Sequence, residues 1–188
     1  MKHQFQILSA VEIDRILKRI TLEILEARKG TQNMALIGIH TRGAFLAKRI
    51  QAHILNIEGQ QIPTGSIDIT LYRDDWTQIS HQPVVQATNI PFSVDNQQII
   101  LVDDVLFTGR TIRAAMDALI DFGRPAMIEL AVLIDRGHRE LPIQSNYTGK
   151  YAETRHSETV NVMLSECDQK DSVMIQQEKN NGHQNTQG

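Results

Sequence analysis

Apolar positions along the chain fall into two spacings. Ile13, Ile16, Leu17, Ile20 and Ile24 recur three or four apart, which predicts an amphipathic helix over roughly 10–28. Ser9-Ala10-Val11-Glu12 precedes it with the hydroxyl and carboxylate of a capping box, and Gly30 follows its end. Ala35-Leu36-Ile37-Gly38-Ile39 is a short apolar run, expected as a buried strand. After it come a loop, His40-Thr41-Arg42-Gly43, and a helix reaching about His53. Ile67, Ile69 and Leu71 alternate with polar residues, predicting a strand at 66–72. Gln98–Val102 and Met127–Ile134 read as buried strands. Between them Ile112, Met116, Leu119 and Ile120 mark a helix from Gly109 to Phe122, closed by Gly123 and Pro125. Thr159–Leu164 and Ser172–Ile175 read as late strands. Strands alternating with helices imply an α/β fold with a mostly parallel sheet flanked by helices.

Two segments break the pattern. From Arg73 to about Asn96 there is no strong periodicity, only polar residues with Pro83 and Pro91, and an irregular segment of that length suits a functional lid. From Gln177 onward the chain is Asn/Gln-rich with few apolar groups, so one domain over 1–176 is expected to carry a disordered tail over 177–188.

Composition narrows the class. With 188 residues, 41% hydrophobic and 22% charged, the chain suits one soluble globular domain. A net charge of -3 excludes a uniformly basic nucleic-acid binder but leaves room for local basic clusters. No apolar run approaches the ~18 residues of a membrane span. The start, Met1 to Gln6, lacks the apolar stretch of a secretory signal, and the single cysteine, Cys167, cannot form an internal disulfide. A cytoplasmic protein is expected.

The densest chemistry lies at Ile99-Ile100-Leu101-Val102-Asp103-Asp104-Val105-Leu106-Phe107-Thr108-Gly109-Arg110-Thr111. An apolar strand runs into two carboxylates and then into a turn before a helix. Ligand loops in open α/β sheets lie beyond the carboxyl ends of strands, and helix starts favour anions. Thr108 and Thr111 add hydroxyls, and Gly109 permits a positive φ. These are the requirements of a terminal sugar phosphate. Asp103 and Asp104 would repel that anion, so they must face something else. A ribose diol and the water of a bound Mg²⁺ both satisfy them, and both carboxylates would also steady positive charge developing on C1'.

This strand-Asp-Asp-loop pattern resembles the type I phosphoribosyltransferases. Together with Gly38–Gly43, Asp68–Asp75 and Asp135-Arg136-Gly137-His138-Arg139-Glu140-Leu141-Pro142-Ile143, it is similar to the PyrR family of pyrimidine-operon attenuators and uracil phosphoribosyltransferases, over roughly residues 7–175. The resemblance implies a type I phosphoribosyltransferase fold and a reaction of uracil with 5-phosphoribosyl pyrophosphate (PRPP) giving UMP and pyrophosphate, with Mg²⁺ carried mainly by PRPP and no direct protein ligand. It implies that Thr41 and Arg42 hold pyrophosphate, in a loop that often carries a non-proline cis peptide. It makes Tyr72 to about Pro83 a lid whose Arg73 reaches the pyrophosphate. Val105, Leu106, Phe107, Thr108, Gly109, Arg110 and Thr111 would bind the ribose phosphate beside the catalytic Asp103 and Asp104. Arg136 and Val160 would frame uracil. PyrR-like proteins also hold an RNA hairpin, for which Arg15, Lys18, Arg19 and Arg139 are the candidates here. Relatives form homodimers and higher homo-oligomers. An RNA-binding attenuator with little catalysis and an enzyme for another base remain alternatives.

Overall fold

The computed structural model describes residues 4–73 and 87–177. Strand β1 (Gln4–Ser9) leads directly into α1 (Ala10–Arg28), where the Glu12 carboxylate accepts hydrogen bonds from the backbone N–H and the hydroxyl of Ser9, at 2.8 and 2.7 Å. The helix stops where Lys29 turns left-handed and the Gly30 N–H reaches back to the Leu25 carbonyl. Then follow β2 (Met34–Ile39), α2 (Arg42–Glu58), β3 (Thr64–Ile67) and a 3-10 turn, Thr70–Tyr72. The second half holds β4 (Gln98–Leu106), α3 (Arg110–Ile120), β5 (Met127–Asp135), β6 (Tyr147–Tyr151), β7 (Glu158–Met163), the short α4 (Ser165–Asp168) and β8 (Ser172–Gln177).

Two sheets result. The main sheet has the order β3-β2-β4-β5-β6, and every pairing in it is parallel. Its central strands are apolar on both faces because both faces are covered. Ile100 and Val102 of β4 join a core with Ile13, Leu17 and Ile20 of α1 and Leu46 and Ile50 of α2. Ile99 and Leu101 point the other way, into a second core with Ile112, Ala115 and Leu119 of α3. The small sheet, β1-β8-β7, is antiparallel. Leu8, Val160, Val162, Val173 and Ile175 anchor it to the α1/α2 core.

Several expectations need correcting. The strand expected at 66–72 lies at 64–67, because Ile67 and Ile69 are buried but Leu71 is 68% exposed and the chain turns there. α2 runs on past His53 to Glu58. β4 does not end at Val102. It stays paired with β5 to Leu106, so both aspartates belong to the strand. β1 and β6 were not foreseen; each is an edge strand of its sheet. Trp76, Pro83, most of the lid expected after Arg73, and the tail beyond Gln177 lie outside the described residues.

Candidate functional site

The carboxyl ends of β2, β4 and β5 and the starts of α2 and α3 gather the chemistry. Backbone closeness sets this up. A Cβ on Gly38 would sit 2.3 Å from the Gly43 carbonyl oxygen, and one on Gly43 would sit 2.4 Å from that of Val102. Only glycine lets β2, the start of α2 and β4 approach this far, and the His40–Gly43 loop is thereby pressed against the end of β4. The His40–Thr41 peptide is cis, the feature the resemblance implied for this loop.

Asp103 is buried, and its carboxylate accepts the Asp104 N–H at 2.9 Å. Asp104 is half-buried and accepts the Val105 N–H at 2.8 Å. Burial pushes the Asp103 carboxyl well above its usual range, and the neighbouring Asp104 charge pushes it further. Burial also raises Asp104, against the pull of the Arg42 guanidinium. The pair is thus a proton-affine carboxylate site facing a nearby cation, suited to accepting hydroxyl or water protons or to meeting a positive centre.

Beyond it the chain turns through Phe107, Thr108 and Gly109, whose φ of 94° opens α3. The Asp135–Ile143 loop folds over this turn. The Glu140 and Leu141 N–H groups donate to the Thr108 carbonyl at 3.0 and 3.2 Å, and Arg110 meets Glu140 at 2.7 Å. A cleft of about 290 Å³ opens here, lined by Arg73, Phe107, Thr108, Gly109, Arg110 and Thr111 among others. A second cleft, of about 360 Å³, is lined by Arg42, Asp104 and Val160 with the small-sheet residues Gln4, Asn161 and Gln176.

Arg136 is buried, with its guanidinium 4.0 Å from the centroid of the Phe107 ring and bonded to the carbonyls of Arg155 and Glu158. It therefore bears on the site through Phe107 and through the start of β7. Arg139 is turned inward: it pairs with Asp135 and donates to the carbonyls of Phe107 and Ile143. On α1, Arg15 is exposed, Lys18 pairs with Asp14 at 2.8 Å, and Arg19 pairs with Glu23 at 2.6 Å.

Sequence reasoning missed Asp168. Its carboxylate takes a bidentate grip on Arg42, and the guanidinium holds it down at about 2. Nothing local marks this pair, since 126 residues separate its members. Among the described residues no three His, Cys, Asp or Glu side chains gather as a metal cage, and no helix is long and apolar enough to cross a membrane.

The phosphoribosyl transferase domain family model matches residues 3–162. The Bifunctional protein PyrR of Deinococcus deserti is 58% identical over 169 residues, 90% of this chain and 92% of that one. Its namesake from Thermus thermophilus is 54% identical over 175 residues, 93% and 97% of the two chains. Among solved structures, hypoxanthine phosphoribosyltransferases share the fold. That of Staphylococcus aureus superposes with a TM-score of 0.67 at 18% identity, covering 90% of each chain. That of Trypanosoma cruzi gives 0.69 at 15% identity, covering 91% and 90%. The parallel five-stranded sheet, the carboxylate pair at the end of β4 and these full-length matches agree: the chain is a phosphoribosyltransferase and belongs to the PyrR family.

Proposed function

We propose that this protein joins uracil to PRPP, forming UMP and releasing pyrophosphate. The observation that carries the reading is the Asp103–Asp104 pair near the end of β4, one carboxylate buried and the other half-buried, with the Gly109 turn and α3 directly after it. Residues Val105 to Thr111 hold the 5'-phosphate at the start of α3, where backbone N–H groups and the helix dipole favour an anion. Thr41, Arg42 and Arg73 hold the pyrophosphate. Asp103 and Asp104 take the ribose hydroxyls and steady the positive charge that grows on C1' as its bond to pyrophosphate breaks. Uracil N1 then bonds to C1', and its proton passes to solvent water. Val160 lines the uracil side, and Arg136 supports it by holding Phe107 and the start of β7. When bound with PRPP, Mg²⁺ would supply charge neutralisation for the diphosphate. Asp104, the more exposed carboxylate of the pair, fits contact with it through water.

Purified protein with uracil, PRPP and Mg²⁺ should produce UMP. Loss of turnover in Asp104→Asn by about 10²-fold or more is expected if its charge acts in the transition state. An unchanged rate would remove it from the mechanism. Assaying uracil beside hypoxanthine, guanine, adenine and cytosine settles which base is used.

A second role as a UMP-sensing regulator that binds pyrimidine-operon leader RNA draws on the exposed Arg15 and Lys18 of α1. Arg19 and Arg139, spent on internal bonds, contribute less in this reading. Filter binding of leader RNA with and without UMP tests it, and binding indifferent to UMP would reject sensing. The reading places the protein in the cytoplasm as a homodimer or higher homo-oligomer. Exposed Ile120 and Phe122 offer apolar surface for self-association, and sedimentation measures it.

A further inference from the structure

We infer that Asp168 is a positioning residue for the pyrophosphate grip, acting by holding Arg42 in a fixed plane between the small sheet and the main site. The inference rests on the proposed function, which gives Arg42 the pyrophosphate.

Arg42 opens α2 on the main-sheet side, whereas Asp168 closes α4 in the β7–β8 connection. The Arg42 Nε donates to Oδ2 of Asp168 at 3.1 Å and Nη2 donates to Oδ1 at 2.9 Å. Two parallel N–H···O bonds fix the orientation of a guanidinium as well as its position, which a single contact does not. The carboxylate is itself anchored. Its Oδ2 accepts the Leu164 N–H at 3.0 Å and the Cys167 thiol at 3.1 Å. The turn that carries it is clasped to α2 a second time, through Arg49 to Glu166 and Asp171 at 2.6 and 2.8 Å.

The fork occupies one edge of the guanidinium, and the remaining N–H donors are left for ligand oxygens. Arg42 lines the cleft together with Asp104 and Val160, and its charge is felt at Asp104. A free arginine loses rotamer freedom when it grips a ligand, whereas one already held loses less. Asp168 therefore strengthens PRPP binding without touching PRPP. If it merely competed with pyrophosphate for Arg42, removing its charge would tighten binding instead, so the two roles predict opposite signs.

The test is Asp168→Asn, which keeps the side-chain shape and an acceptor toward Leu164 but removes the charge. PRPP binding with Mg²⁺ is measured by calorimetry, and turnover is measured beside it. We expect the Kd and KM for PRPP to rise about tenfold, as misplacement of a gripping group does. The kcat should change by less than about threefold and the uracil KM by less than about twofold, since neither depends on this grip. Glu166→Ala, which loosens the same turn without touching Arg42, should leave the PRPP Kd within about twofold. Arg42→Ala and the double variant Arg42→Ala/Asp168→Asn should bind PRPP equally weakly, because Asp168 has nothing else to position. An unchanged or tighter PRPP Kd in Asp168→Asn, an equal loss in Glu166→Ala, or additive losses in the double variant would each overturn the inference. A wild-type protein that binds PRPP but makes no UMP overturns the enzymatic reading alone. One that does not bind PRPP overturns both.

Discussion

Burying Asp103 costs free energy that folding alone would avoid. Its carboxyl is raised by burial and by the adjacent Asp104, so the folded state binds a proton more tightly than the unfolded chain does. The sign follows from linkage: stability from such a group is present at low pH and is lost as pH rises from the usual carboxylate range through the folded value. Asp103→Asn removes the charge and keeps the shape. We expect its melting temperature to exceed wild type by about 2–4 °C near pH 8, the equivalent of ~1 kcal/mol in a chain of this size, with little difference near pH 3, below the unfolded carboxylate value. Turnover should fall at the same time. Thermal melts at the two pH values check the first claim, and a variant less stable than wild type at pH 8 would refute it. The pair was legible in the sequence because two acids directly after Ile99–Val102 have no packing reason to be there. Asp168 was not legible, since only the fold brings it to Arg42.

At the scale of elements, the close approach of β2, α2 and β4 shapes the pyrophosphate loop. Gly38→Ala would drive a methyl into the Gly43 carbonyl, with no flexible side chain available to yield. We expect a loss of about 1–3 kcal/mol, the usual cost of overpacking, together with a weaker PRPP KM because the His40–Gly43 loop must shift. Gly59→Ala is the contrast. Gly59 is left-handed at φ 67° but meets nothing within 4 Å, so only its backbone conformation is strained, for about 1 kcal/mol and no change in KM. Urea denaturation and initial rates distinguish the two, and equal effects on KM would contradict the loop argument. Helices α1 and α3 were readable because their apolar spacing matches the faces they bury. β6 was not: Tyr-Thr-Gly-Lys-Tyr is mostly polar and becomes a strand by pairing with β5. β4 was read too short because charge after Val102 resembled an exit from the core, whereas pairing with β5 carries both aspartates onward as strand.

Across the whole molecule, the small sheet must stay seated on the main one for the Arg42–Asp104 cleft to exist. Apolar contacts from Leu8, Val160, Val162 and Ile175 do part of this, and the Arg42–Asp168 fork and the Arg49 clasp add to it. Arg49 donates to both carboxylate oxygens of Glu166 and to both of Asp171, and its side chain is only 20% exposed. A pair this sheltered lies between the negligible surface case and the buried one, so Arg49→Met should cost about 1–3 kcal/mol. The same arginine holds the Glu166 and Asp171 carboxyls below their usual range, chiefly through those hydrogen bonds. For acids lowered in the folded state, the stabilisation is present above the unfolded values near 4 and is lost as pH falls below them. The difference in melting temperature between wild type and Arg49→Met should therefore be widest near pH 7 and should narrow as pH falls below about 4. PRPP affinity at pH 7 should stay within about twofold, because Arg42 keeps its own carboxylate. A pH-independent gap would mean that the aliphatic stem of Arg49, rather than its ion pairs, seats the small sheet. Loss of PRPP affinity would mean that seating and grip are one function, and the two arginines on α2 could not be assigned separate tasks.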